Sequence, residues 1–267
     1  MLRSDLAGAA AVVRRDFLVF VSYRFRFLSE IVAATLAVAL FYYVSRLVTS
    51  GAFTSSDEYF AFAVMGLVVL EVLTAALVVM PLALRQELVA GTFERSLVSA
   101  FGPVQYLLAM SVFPFLSTLV RAMITITVAV VVFGMPVDWS TAILALPTVA
   151  LGFVAFLPFA LLITAAVFVV KQVGAGSGLL LACLSISAGV LFPVFLLPDW
   201  IEWTSDVQPL TPALDLLRHL VTGSPIDSVW TTTLRLAAFA AVLLPVSIVA
   251  LSACLRYAQR HGTVLEY

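Results

Sequence analysis

Long apolar runs broken by short polar stretches set the pattern of this chain. Six runs have the length of membrane helices: residues 29–47, 59–84, 104–133, 141–170, 174–197 and 233–255. A hydrocarbon core of about 30 Å needs about 20 mostly apolar residues per helix. The runs are continuous instead of alternating, which argues against a barrel. The pattern predicts an all-α polytopic membrane protein with six transmembrane helices in a single domain, residues 1–267.

The flanking stretches have patterns of their own. Residues 4–27 carry Leu6, Ala10, Val13, Phe17 and Val21 at helical spacing, with Arg14, Arg15 and Asp16 off that line. This predicts an amphipathic interface helix on the membrane surface, with Arg24 and Arg26 in reach of anionic headgroups. A basic flank that only fixes topology is the other reading. Between the second and third runs, residues 85–99 form a charged, helix-prone island with a break at Gly91-Thr92. Residues 198–232 read as two short outer helices. Trp200 and Trp203 suit an interface, Thr211-Pro212 an N-cap and first turn. Leu214, Leu217 and Leu220 form a stripe half-sunk in the outer interface. Pro158 predicts a kink in the fourth run.

Composition sharpens the picture. The chain is 63% hydrophobic and 11% charged, against about 25% charged in a soluble domain, and its mean hydropathy is +1.15. A net charge of −1 gives no basis for a nucleic-acid partner. Cys183 and Cys254 fall in predicted membrane helices and read as free thiols. Residues 1–27 contain five arginines and no apolar core ending in a cleavage site, so no cleavable signal peptide is expected.

Charge distribution sets the orientation. With the N-terminus inside, ten of the 14 Lys/Arg fall on the inner side. Arg46, Arg218 and Arg235 fall outside, and Arg121 lies in the membrane. The bias predicts both termini in the cytoplasm, which puts residues 85–99 inside and 198–232 outside.

Candidate chemistry is sparse. His219 and His261 fall on opposite sides of the membrane, and no histidine or cysteine pair has metal-ligand spacing. The glycine run at Gly174, Gly176 and Gly178 lacks the Gly-Lys-Ser/Thr of a phosphate loop and reads as small residues for close helix packing. Glu71 in the second run and Arg121 in the third fall at similar depth. A charge at the bilayer centre costs about 2.5–3.5 kcal/mol, so each should face protein or water. A mutual ion pair and direct contact with a substrate or ion both remain open.

Three stretches resemble a known family, the integral-membrane permeases of type-2 ATP-binding-cassette (ABC) exporters. Arg85-Gln86-Glu87, followed by Gly91-Thr92-Phe93-Glu94 and Leu97-Val98-Ser99, is similar to its cytoplasmic coupling helix. Residues 189–200, from Gly189 through Phe192-Pro193 to Pro198-Asp199-Trp200, resemble its fifth-span exit, and residues 209–218 the motif that follows. One departure is Ala100-Phe101-Gly102, which intervenes before Pro103 where the family often has proline directly after the serine.

The resemblance implies a permease subunit that is not itself an enzyme and holds no cofactor or metal. A second permease copy or a sister permease would complete the membrane part, and two nucleotide-binding ATPase subunits would bind ATP and Mg. Arg85, Glu87, Gly91, Thr92, Glu94 and Arg95 would contact the ATPase. The first and fifth spans would line the path, where Phe41, Tyr42, Tyr43, Phe192 and Phe195 offer aromatic surface and Gly174, Gly178, Ser185 and Gly189 allow close approach. The implied cargo is an amphipathic drug, lipid or lipid-linked glycan, moved out of the cytoplasm across a plasma membrane, prokaryotic inner or cell membrane, by rocking of the permease dimer. A competing class is a secondary transporter or ion channel using Glu71 as a coupling-ion site, which usually shows internal repeats not found here. A non-transporting membrane anchor or sensor is a third.

Overall fold

The computed structural model describes residues 2–22, 24–47, 53, 55–94, 101–170, 174–226 and 228–261; among these there is no strand. The helices are α1 (Leu2–Ser22), α2 (Arg24–Leu47), α3 (Ser56–Thr74), α4 (Met80–Val89), α5 (Pro103–Val131), α6 (Ala145–Val170), α7 (Gly174–Ser187), α8 (Asp199–Asp206), α9 (Leu210–Thr222) and α10 (Val229–His261). Five stretches among the described residues are long and apolar enough to cross a bilayer: Leu28–Leu47, Ser56–Val89, Pro103–Val131, Ala142–Phe168 and Val229–Arg260.

The second of these is the centre of the bundle. Ser55 caps it by accepting the Glu58 amide at 3.1 Å, with Asp57 and Glu58 in the first turn. α3 and α4 are joined through a π turn, Ala75–Val79, into one rod. Pro81 has no amide to donate and its ring would crowd the carbonyl four residues back. The Met80 amide accordingly reaches Ala75, five residues back, and the extra residue in that turn gives the proline room. Phe60, Val64, Met65, Leu73, Leu77 and Leu84 along the rod are almost wholly buried.

Side-chain pairs fix the register around the rod. α5 runs antiparallel to it: Phe60 meets Phe133 at 6.2 Å, Glu71 meets Thr125 at 2.9 Å and Glu87 meets Tyr106 at 2.6 Å. α1 and α2 follow α5 in the same direction. Phe20 lies 5.6 Å from Phe113, Arg121 3.9 Å from Glu30, and Tyr42 5.1 Å from Phe133. The expected surface helix is thus helical over Leu2–Ser22 and packs along α5, with Gly8 close against the Phe101 ring.

The fifth predicted span is corrected. Residues 174–197 are not one helix, because α7 stops at Ser187 after 14 residues, only about 21 Å of helix. Gly189 takes the left-handed conformation (φ 69°), so that its amide reaches Ile186 at 3.1 Å and the Val190 amide reaches Ser185 at 3.1 Å. This is a Schellman stop. Pro193 and Pro198 then keep the segment extended around a short 3₁₀ turn, Val194–Leu196.

The outer helices are corrected too. α9 is not half-sunk at a surface: Leu210, Leu214, Leu217, Leu220 and Val221 are buried where it packs against α3, α6 and α10. Its helix begins at Leu210, so Thr211 is not the N-cap, and the Thr211 hydroxyl is buried without a partner. The loop before α6 closes the other end of α9. The Asp138 amide donates to Val221 O and the Thr141 hydroxyl to Leu220 O, each at 2.8 Å, meeting carbonyls that a helix end leaves open. Trp200 and Trp203 on α8 are exposed. α6 continues through Pro158, and α5 starts with Pro103 in its first turn after Gly102.

Candidate functional site

The charged island lies on the end of the rod. Leu84 and Leu88 continue the apolar face past Arg85, so helix persists to Val89 and the island opens as the last turn of α4. A second Schellman stop ends it: the Gly91 amide reaches Leu88 O at 3.1 Å and the Thr92 amide Glu87 O at 3.0 Å, with Gly91 at φ 67°. Phe93 then turns inward. It is fully buried, with ring centres 5.6 Å from Phe168 and 6.1 Å from Tyr106. Val89, Ala90, Gly91, Thr92 and Glu94 are left exposed around this anchor, and Arg85 is half-buried. Arg95, also expected at the coupling contact, lies outside the described residues with the rest of 95–100.

Two residues that the sequence did not single out hold Glu87 in place. The Tyr106 hydroxyl donates to its carboxylate at 2.6 and 2.8 Å, and Arg15 Nη1 lies 2.8 Å from Oε1. Arg15 Nη1 also donates to the Tyr106 oxygen at 2.7 Å, while Nη2 sits 2.8 Å from Asp16. Burial works against the Arg15 charge, but hydrogen bonds to Asp16 and Tyr106 and the carboxylates of Asp16 and Glu87 outweigh it and hold its pKa above the ordinary arginine value. The N-terminal helix is thereby tied to the end of α4 and the start of α5. A signal did exist: Arg15 lies off the apolar line of its helix.

Half-way along the rod, Glu71 and Arg121 line one cavity of about 320 Å³ between α2, α3 and α5. They do not form the direct pair that equal depth suggested. Glu71 Oε1 accepts from the Thr125 hydroxyl at 2.9 Å, and Arg121 Nη1 takes Glu30 as its carboxylate partner at 3.9 Å. Both reach the cavity from neighbouring helices, and Glu30, near the start of the first apolar run, supplies the partner that sequence counting missed. Glu71 Oε2 and Arg121 Nε are buried without a hydrogen-bond partner.

The aromatic residues expected along a path divide into two places. Tyr42 is a packing residue, with ring centres 5.4 Å from Phe60 and 5.1 Å from Phe133. Arg46 lies over its ring at 4.7 Å and pairs with Asp57 at 3.0 Å. Phe41 is half-buried and Tyr43 exposed beside it. Phe192 and Phe195 sit in the segment after α7, and Phe195 is exposed. A Cβ on Gly178 would meet nothing within 4 Å, so close packing there is not supplied by this chain.

Arg218 has a structural role that the sequence did not show. Counted as an outer-side charge, it is buried in α9, where Nη2 donates to Gly189 O and Val190 O at 3.1 Å each. Its guanidinium lies 3.4 Å from the centre of the Phe62 ring. It thereby satisfies carbonyls exposed where α7 breaks off.

No curated protein matches the chain. The sequence model of the family described as ABC-2 type transporter matches residues 9–221, a stretch that includes the exposed turn at Gly91, the Glu71 cavity and the Arg218 clasp.

Proposed function

Because the chain belongs to the ABC-2 type transporter family, and so is the membrane component of an ABC transporter and not its ATPase, we propose that it is the permease of an exporter. Two copies, or this chain and a sister permease, form the membrane part and two separate ATPase subunits drive it. The segment 85–99 faces the cytoplasm with both termini, and Arg85, Glu87, Gly91, Thr92, Glu94 and Arg95 meet the ATPase there. ATP-driven closure of those subunits rocks the permease halves and moves an amphipathic drug, lipid or lipid-linked glycan outward across a plasma membrane.

The observation that carries this reading is the exposed turn fixed to the bundle. Gly91, Thr92 and Glu94 stand in solvent, while Phe93 is fully buried and Glu87 is clamped by Tyr106 and Arg15. Glu87 ties the end of α4 beside this turn to α5 and α1. The family generally works with an ATP-binding subunit, and force applied to this knob reaches three helices at once.

The test is copurification with an ATPase subunit and measurement of hydrolysis and cargo export in proteoliposomes. The wild-type chain should change the ATPase rate. Glu94→Lys should assemble normally but lose export while hydrolysis continues. Wild-type export by Glu94→Lys would overturn the assignment of the turn, and export driven by an ion gradient without ATP would overturn the class.

A further inference from the structure

The chain has four tryptophans, Trp139, Trp200, Trp203 and Trp230, and all are 63–81% exposed. They share the end of the bundle away from the Gly91 turn, where Phe133 of the loop after α5 meets Phe60 at the start of the rod. Trp139 follows Asp138, whose amide holds the end of α9 at Val221 O. Trp200 and Trp203 are on α8. Trp230 is in the first turn of α10, about 7.5 Å of helix before Arg235, and Arg235 Nη2 meets Asp206 of α8 at 3.3 Å.

Apolar exposure continues from these rings into the spans. From Trp230 it runs on along α10 through Leu234, Val242 and Val246, and Phe195 and Leu196 precede α8. α8 itself carries two stripes. Trp200 and Trp203, continued by Val207 just past its end, recur along one line, and Asp199, Glu202 and Asp206 along the line beside it, all exposed. Residues three and four apart share a helix face, so α8 is apolar along one edge and acidic along the next. An indole has an apolar body and an N–H, and favours the junction of hydrocarbon and headgroups. An acidic edge beside it meets the headgroups, where like charge repels an anionic lipid and a zwitterionic one can approach.

We propose that this end of the protein is a tryptophan collar seated in the headgroup layer of the bilayer, and that α8 selects zwitterionic over anionic lipid there. Trp200 and Trp203 enter the boundary of the acyl chains, and Asp199 and Glu202 face the headgroups. Lipid is the occupant because the apolar surface runs on into spans whose outer faces meet lipid, and because the acidic edge complements a head that carries a cation. This goes beyond the exporter reading and does not rest on it.

All tryptophan fluorescence of the chain comes from this surface, so the native protein is its own reporter. The test is quenching of the full chain in nanodiscs of equimolar phosphatidylcholine and phosphatidylglycerol, with one lipid or the other brominated on its acyl chains. Brominated phosphatidylcholine should quench more than brominated phosphatidylglycerol, on the order of twofold at low salt, and the difference should shrink at high salt. Asp199→Asn combined with Glu202→Gln, both exposed positions, should remove the difference with unchanged melting. Trp139→Phe combined with Trp230→Phe leaves the α8 pair as the only reporters and should retain it. Ready quenching by aqueous acrylamide with none by either brominated lipid would place the rings in water, open to a protein partner, and would overturn the collar. Equal quenching by the two lipids at low salt, or a difference that survives the Asp199 and Glu202 changes, would overturn the selection by α8.

Discussion

The backbone of Gly66 in α3 lies directly against the carbonyl of Val190, so close that a Cβ at position 66 would overlap that oxygen. Arg218 Nη2 donates to the same carbonyl at 3.1 Å. The break after α7 is therefore fixed between a glycine and a guanidinium.

Gly66→Ala should force that carbonyl away. Overpacking of this kind costs about 1–3 kcal/mol, and the obstacle here is backbone, which cannot rotate aside. Thermal unfolding in nanodiscs should show a lowered midpoint. Wild-type melting of Gly66→Ala would mean that the two segments are not in contact.

Arg218→Met keeps the bulk and removes the donors to Gly189 and Val190. Hydrogen bonds to charged groups contribute about 1.5–3 kcal/mol, so the midpoint should fall and amide exchange should rise across residues 188–198. Arg218→Lys should not restore it fully, since an ammonium lacks the flat guanidinium that lies over the Phe62 ring. Full recovery by lysine would show that charge alone matters.

Phe93→Ala should loosen the exposed turn without touching it. Emptying a buried phenylalanine site costs about 3–5 kcal/mol, and here the loss falls on the segment between Val89 and Glu94. Proteolysis should accelerate there, and ATP hydrolysis by the complex should lose its link to transport. Equal protection of the turn in Phe93→Ala would contradict the anchor.

Tyr106→Phe and Arg15→Ala separate the two holds on Glu87. Arg15 is partly exposed, with 44% of its side chain accessible, so its pair should contribute only about 0.5–1 kcal/mol and weaken in salt. The Tyr106 hydroxyl donates to a carboxylate that is largely buried, and its removal should cost about 1.5–3 kcal/mol with little salt dependence. A double-mutant cycle at two ionic strengths checks the order.

Much of the bundle is legible in the apolar runs, because a span must be long and apolar whatever it packs against. The run from Gly174 shows where that reasoning stops. Its residues stay apolar through Leu197, so hydropathy joins them, whereas the backbone obeys Gly189 and the prolines behind it. Arg218 shows a related limit: charge counting places it only by side, and the fold reveals the open carbonyls that draw it inside. Equal depth brings Glu71 and Arg121 to one cavity correctly, yet their partners, Thr125 and Glu30, depend on helix rotation that residue counting does not contain. The exposed turn at Gly91 is readable from its glycine and charges, but its tether to Arg15 and Tyr106 joins positions far apart in the chain.

The π turn at Ala75–Val79 divides the central rod between its two polar stations. Below it stands Glu87 with the exposed turn, and above it Glu71 with the cavity. An α-helix is stiff along its axis, and a turn with one residue too many is where its hydrogen-bond ladder can change register at least cost. Within the rod the path from Gly91 to Glu71 runs through this turn, and α5 joins the same two stations from outside it, through Tyr106 and Thr125. α5 thus lies along the turn like a splint, bonded to the rod on either side of it.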